Sequence, residues 1–164
     1  MEVRVRAAAI IVQGDSVLLV QHHQPGTDNV WWVPPGGGRQ GSETLRECAL
    51  REVFEETGLS VVLGDIVYVR EFIAPEIQQH NFEFFFMARS YAGDVTIANL
   101  VEGDLDAEII REARFMRRSE MGSLTVYPEV LKDAFWDDLK RGFPEKVYLG
   151  VQISDGELVE PDRS

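Results

Sequence analysis

The order of apolar and polar positions divides the chain into elements before any chemistry is considered. Residues 3–12 and 16–22 are β-branched or apolar runs separated by Gln13, Gly14 and Asp15, the pattern of two antiparallel strands joined by a tight turn. A polar stretch with Pro25, Gly26, Asp28 and Asn29 leads to Trp31, Trp32 and Val33, then to Pro34, Pro35, Gly36, Gly37 and Gly38. Prolines exclude helix there and glycines permit unusual backbone angles, so a loop of defined shape is expected. Residues 42–57 switch to a helical period, with Ser42 as the expected N-cap, Glu43 at the positive end of the dipole and Gly58 at the left-handed C-terminal position. Residues 61–73 and 82–89 read as two more strands. In the second, Phe82, Phe84 and Phe86 share one face and Phe85 and Met87 the other, as in a central strand covered on both sides. An acidic, irregular segment at 92–106 precedes an expected strand at 108–117, and Pro128 opens a second amphipathic helix in which Val130, Leu131, Ala134, Phe135 and Leu139 recur as far as Gly142. Residues after Gly156 read as a flexible tail. Strands and helices interspersed in this way predict an α/β fold with a mixed sheet, in a single domain over residues 1–156.

Charge narrows the range of partners. The chain has 28 acidic and 16 basic side chains in 164 residues, a formal net charge of −12. Such a surplus repels phosphate backbones and anionic lipid, so neither a nucleic-acid polymer nor a membrane surface is an expected partner. A small anionic ligand is compatible with it only if a cation bridges the two. The single cysteine, Cys48, excludes an intramolecular disulfide and the paired cysteines of a zinc site, which fits a reducing, cytoplasmic compartment. The apolar run at residues 7–12 is too short for a secretory segment or a membrane span, so the chain reads as soluble and unprocessed.

The acidic helix carries the most informative chemistry. Leu45, Ala49, Glu52 and Glu56 fall on one stripe at about 100° per residue, so glutamates continue the apolar face where a plain core helix would place Leu or Val. Buried carboxylates destabilise unless they find a partner. Adjacent glutamates in the last turn also face the negative end of the helix dipole, at roughly 0.3–1 kcal/mol per charge. Clustered oxygen ligands suit a hard divalent cation. Surface ion pairs, Glu47 with Arg51 or Arg51 with Glu55 at (i, i+4), are the plainer alternative.

The whole string reads Gly37-x5-Glu43-x7-Arg51-Glu52-Val53-x-Glu55-Glu56-x-Gly58-Leu59. It resembles the Nudix box, G-x5-E-x7-R-E-U-x-E-E-x-G-U, at every defined position, and the flanking residues 32–37 are similar to that family as well. The resemblance implies an α/β/α sandwich around a mixed central β-sheet. It also implies hydrolysis of a nucleoside diphosphate linked to another group, with Mg2+ as the required cation and Mn2+ as a substitute. By position, Glu52, Glu55 and Glu56 would be the metal carboxylates, with the Gly36 carbonyl as a further ligand. Glu52 is the first choice for general base, and Glu76, Glu102, Glu108 and Glu112 are alternatives on later segments. Arg51 would orient the cluster by pairing with Glu43 or Glu55, and Gly37 and Gly38 would let backbone approach closely. Trp31 or Trp32 would stack a nucleobase, one of the two packing in the core. Arg70, Arg89 or Arg118 would meet a phosphate or sugar. His22, His23 and His80 titrate in a suitable range, without spacing that ties them to the box.

Pro75, sixteen residues beyond Leu59, is similar in spacing to ADP-ribose pyrophosphatases, which favours ADP-ribose or a nucleotide sugar. The short single-domain architecture favours an unmodified or oxidised nucleoside triphosphate. A non-catalytic nucleotide-sensing domain is the reading from another class, and the intact box argues against it. An isopentenyl diphosphate type isomerase needs a cysteine outside the helix, whereas Cys48 lies inside it. Dimers are frequent among such proteins, so a homodimer is an expectation too.

Overall fold

In the computed structural model, which describes residues 1–145 and 147–154, the chain begins with β1 (Glu2–Ile10), β2 (Val12–Gln13), β3 (Ser16–His23), β4 (Val30–Val33) and β5 (Gly36–Gly38). Helix α1 (Leu45–Thr57) follows, then β6 (Ser60–Ala74), β7 (Gln79–Ala92), α2 (Leu105–Ile109), β8 (Ile110–Arg117), α3 (Arg118–Met121), α4 (Ala134–Lys140) and β9 (Val147–Ile153). The tail expected after Gly156 lies outside the described residues.

One sheet has the order β5-β1-β7-β6-β9, with β7 in the middle as its two-sided aromatic pattern predicts. It is mixed: β1 runs parallel to β7 and β6 parallel to β9, while β1/β5 and β6/β7 are antiparallel. The second sheet is built on β3, which pairs antiparallel with β2, β4 and β8. Helix α1 lies on one face of the first sheet, where Cys48 and Ala49 pack with Ala7 and Phe86, and Val53 with Ala9, Ile11, Leu18 and Leu59. On the opposite face Ala8, Ile10, Tyr68 and Phe85 meet Trp32, Leu131, Phe135 and Trp136. The sheet is therefore buried between helical layers, as expected, and the period-2 alternation of β1 sends odd residues to α1 and even residues to the other core.

The differences from expectation have local causes. Thr44, not Ser42, caps α1: its Oγ1 accepts the Glu47 N–H at 3.1 Å, and Gly58 closes the helix at φ 75°. Residues 36–38 form a strand rather than a loop. Their glycines are needed for proximity, since an added Cβ on Gly36 would run into the Ala8 side chain and lie 2.7 Å from the Ala7 carbonyl oxygen. The expected C-terminal helix is divided at Asp133 into a 3-10 turn at Glu129–Lys132 and α4, and the Asp133 carboxylate accepts the Ala134 N–H at 2.6 Å. Part of the segment expected to be irregular or extended is α2. Strand β9 was not anticipated because Gly150, at φ 90°, interrupts its alternation and coincides with a register shift against β6.

Gly36→Ala is expected to destabilise the protein by about 1–3 kcal/mol through overpacking. Gly122→Ala, at an ordinary helical position with nothing within 4 Å, should stay within about 0.5 kcal/mol. Urea unfolding of the two variants measures the contrast.

Candidate active site

Helix α1 brings its glutamates inward because they extend the stripe of Ala49. Glu52 is 1% and Glu56 0% exposed. Glu55, a quarter turn away, is half-buried. Strand β5 faces this stripe, and the Gly36 N–H donates to Glu56 Oε1 at 3.1 Å. The carbonyls of Gly37 and Gly38 accept from Cys48 Sγ at 3.4 Å and Arg51 Nη2 at 3.1 Å, so these two glycines fasten strand to helix.

Arg51 is the organising cation. Its Nε and Nη2 donate to the two oxygens of Glu43 at 3.0 and 2.7 Å, and its Nη1 to Glu52 Oε1 at 2.7 Å and Glu55 Oε2 at 3.2 Å. It thus pairs with both partners named from the sequence. These contacts raise the Arg51 pKa, Glu43 contributing most, and hold Glu43 below its ordinary value.

What Arg51 leaves unmet defines the site. Glu52 Oε2 and Glu56 Oε2 are buried without a hydrogen bond. Asp106 of α2 supplies a third buried carboxylate, and the three groups offer oxygens all within 4.8 Å of one another. Burial, the first cause, raises the pKa of Glu52 and raises that of Glu56 well above its usual range; Glu52 and Asp106 add repulsion at Glu56. A divalent cation would relieve that repulsion and occupy oxygens that no donor among the described residues reaches, so the donor set fits a hard metal ion. Glu55 stands outside this trio, held by Arg51.

Asp106 was missed from the sequence because it sits in the acidic 92–106 segment with no motif around it; only burial sets it apart. Glu76, Glu102, Glu108 and Glu112 are exposed and lie outside the cluster. Trp32 is a core residue with Arg114 over its ring at 5.0 Å, and Trp31 is 3% exposed beside His22. Both rings are buried, where one of the two was expected in the core. Burial holds the His22 pKa down to about 3, so its ring is neutral. His23 is held by Thr27 and Arg111, and His80 pairs with Glu71 at 2.8 Å. Arg118 lies over Trp136, and Arg89 borders a cavity with Gly64 and Phe143.

Arg70 is 5% exposed and donates to Glu83 Oε1 from Nε and Nη2 at 3.0 and 2.8 Å, to Gln152 Oε1 at 3.2 Å, and lies 5.6 Å from the centre of the Tyr127 ring. It borders two spaces. One is a small cavity of about 10 Å³ that it shares with Arg6, Gly36, Glu83 and Tyr127. The other is an open groove of about 420 Å³ lined by Pro128, Val130, Leu149 and Gln152 among others. Pro75 opens a single 3-10 turn at the tip between β6 and β7, so turn geometry accounts for it.

Buried carboxylates of α1 and α2 gathered beside a glycine strand define an acidic pocket whose donor set fits a cation. The Nudix domain model matches residues 3–135, and the chain belongs to the Nudix family. YvcI of Bacillus subtilis strain 168, described as an uncharacterized Nudix hydrolase, is 33% identical over 99 residues, covering 58% of this chain and 60% of YvcI. The chain thus matches about three fifths of that relative's length. A Nudix hydrolase structure from Nitrosomonas europaea superimposes with a TM-score of 0.67 at 21% identity, over 90% of this chain and 93% of its own. A MutT protein structure from Methanosarcina mazei Go1 gives 0.64 at 23% identity, over 87% and 96%. At these identities the structures show the shared fold. Among the described residues no helix is long and apolar enough to cross a membrane.

The raised Glu56 pKa sets a pH dependence. A carboxyl whose folded value lies above its unfolded one favours folding while protonated; that advantage is complete below pH about 4.5 and is lost as pH rises through the folded value. His22, depressed from 6.5 to about 3, contributes stability that is lost as pH falls through that window. Its contribution cancels when wild type is compared with Glu56→Gln. In EDTA, the stability of Glu56→Gln relative to wild type should grow as pH rises above about 4.5. Denaturant unfolding at stepped pH measures this, and a flat difference would contradict the raised Glu56 pKa.

Proposed function

We propose that the protein is a divalent-metal-dependent hydrolase that cleaves the pyrophosphate bond of a nucleoside diphosphate linked to a further group. The observation that carries this reading is the pair of buried oxygens, Glu52 Oε2 and Glu56 Oε2, that no donor among the described residues satisfies. Glu52, Glu56 and the Gly36 carbonyl would hold the cation, with Asp106 adjoining, and Glu55 would join through the flank of Arg51. When bound, Mg2+ or Mn2+ supplies charge neutralisation for the diphosphate and a lowered pKa for attacking water. Arg51 keeps one oxygen of Glu52 engaged, so the other is presented in a fixed orientation. Glu52 is the base of choice: Arg51 holds its Oε1, so Oε2 is the oxygen left to take a proton from the attacking water, and in that role Glu52 would leave the cation to Glu56, Asp106 and the Gly36 carbonyl.

The groove beyond Arg70 supports a substrate with an organic group past the diphosphate, since its volume of about 420 Å³ falls within the range of small-molecule sites, roughly 300–1,000 Å³. ADP-ribose or a nucleotide sugar is the substrate class this favours. Gln152 and the Arg70 guanidinium offer hydrogen bonds to hydroxyls, and Val130 and Leu149 offer an apolar surface.

The test is a panel of ADP-ribose, nucleotide sugars and unmodified or oxidised nucleoside triphosphates, assayed with Mg2+ and with Mn2+ and with product identification. Turnover of the diphosphate-linked class that stops in EDTA is expected, and Glu52→Gln and Glu56→Gln should each lower kcat by about 100-fold or more. Undiminished turnover in both variants would overturn the assignment. Tight binding of one compound without turnover would favour a nucleotide-sensing role.

A further inference from the structure

The chemistry above gives Arg6 no part, yet this arginine is only 5% exposed, and a buried cation is costly unless its charge is balanced. Its place in the sheet is defined on both sides. Arg6 stands opposite Gly38 of β5 and opposite Glu83 of β7, and its Nε lies 3.8 Å from Glu83 Oε2. Glu83 is shared, because Arg70 takes Glu83 Oε1 through two hydrogen bonds. One carboxylate therefore lies between two guanidiniums, while toward β5 three carboxylates crowd within 4.8 Å. Arg6 and Gly36 line the same small cavity, and Gly36 is the residue whose N–H meets Glu56. Attraction between Arg6 and both Glu52 and Glu56 accords with this placement.

We propose that Arg6 is the sheet-side counter-ion of the Glu52 and Glu56 pair, a positioning residue that stabilises the acid cluster without a cation and competes electrostatically with a cation that binds there. The inference rests on the metal site proposed above. Arg51 balances the cluster from the helix, and Arg6, on the face of β1 turned away from α1, balances it across the glycine strand beside Gly36. Because β1 is paired on both sides and Arg6 is held beside Glu83, its guanidinium stays in place when a dication arrives. The two positive charges then repel through a buried region that screens poorly. Arg6 thus trades metal affinity for a stable fold in the metal-free state.

The test is Mn2+ titration of the substrate-free protein followed by electron paramagnetic resonance, with melting temperatures in EDTA and in saturating Mn2+. Arg6→Met should tighten Mn2+ binding by about tenfold or more, since removing a like charge from the neighbourhood of a dication is worth more than a factor of about ten at an effective dielectric of about 20. Its melting temperature should fall more in EDTA than in Mn2+. Glu83→Gln removes the carboxylate that offsets Arg6 and should weaken Mn2+ binding, the opposite sign, while Arg6→Lys keeps the charge and should bind within about twofold of wild type. Unchanged or weaker binding in Arg6→Met, or equal loss of stability with and without Mn2+, overturns the proposal. If Arg6→Met does not fold, Glu83→Gln decides: binding at wild-type strength or tighter refutes the role. Absence of Mn2+ binding in the wild type would overturn the metal site and this inference together. Binding that Glu56→Gln abolishes and the Arg6 and Glu83 variants leave unchanged would overturn this inference alone.

Discussion

Arg51 ties three parts of the chain together through one side chain. Its guanidinium takes both oxygens of Glu43 from the segment before α1, one oxygen each from Glu52 and Glu55 within the helix, and the Gly38 carbonyl from the adjacent strand. A planar, permanently charged fork can satisfy this many acceptors at once, and lysine, with its compact ammonium group, cannot. The orientation of Glu52 follows from it. Arg51 also adds to the seating of α1 on β5, since the inward stripe of the helix ends in glutamates rather than apolar residues.

That arrangement places charge where a core would ordinarily be apolar. The cluster lies near the C-terminal end of α1, where the helix dipole opposes negative charge. The compensating charges come from Arg51 of the helix itself on one flank and from the Arg6, Glu83 and Arg70 row of the sheet on the other. The row has alternating sign, and it runs on one face of β1, β7 and β6 because each strand exposes every second residue to that face. The same row ends at Gln152 of β9, so the sheet carries a polar seam from the acid cluster to the groove.

Much of the framework was legible from residue pattern. The turn between residues 12–13 and 16–17, which the short β2–β3 hairpin retains while β1 joins the other sheet, the span of α1 and its Gly58 cap, and the central place of β7 follow from periodicity and capping chemistry, because those are local properties. The acid stripe was legible too, since helical geometry puts Glu52 and Glu56 in line with Ala49. The remainder depends on tertiary approach. Asp106 reaches the cluster from a segment with no periodic signal, and Arg6 and Glu83 become neighbours only through parallel pairing of strands far apart in sequence. Trp31 and Trp32 look alike as candidates for stacking, and only burial shows that both rings are enclosed. Strand β9 escaped because a glycine breaks its alternation.

Cys48 gives this architecture a practical property. The thiol is buried between α1 and β5, donates to the Gly37 carbonyl, and is pushed up to about 12 chiefly by loss of solvent. Nucleophilic reaction at sulfur needs the thiolate. The native protein therefore has a chemically silent background toward maleimides and iodoacetamide, and a cysteine introduced on its surface would be the one position to take up a fluorophore or spin label. Modification of Cys48 itself would report that the helix has separated from the glycine strand, which makes the native thiol an internal probe for opening of the acid pocket.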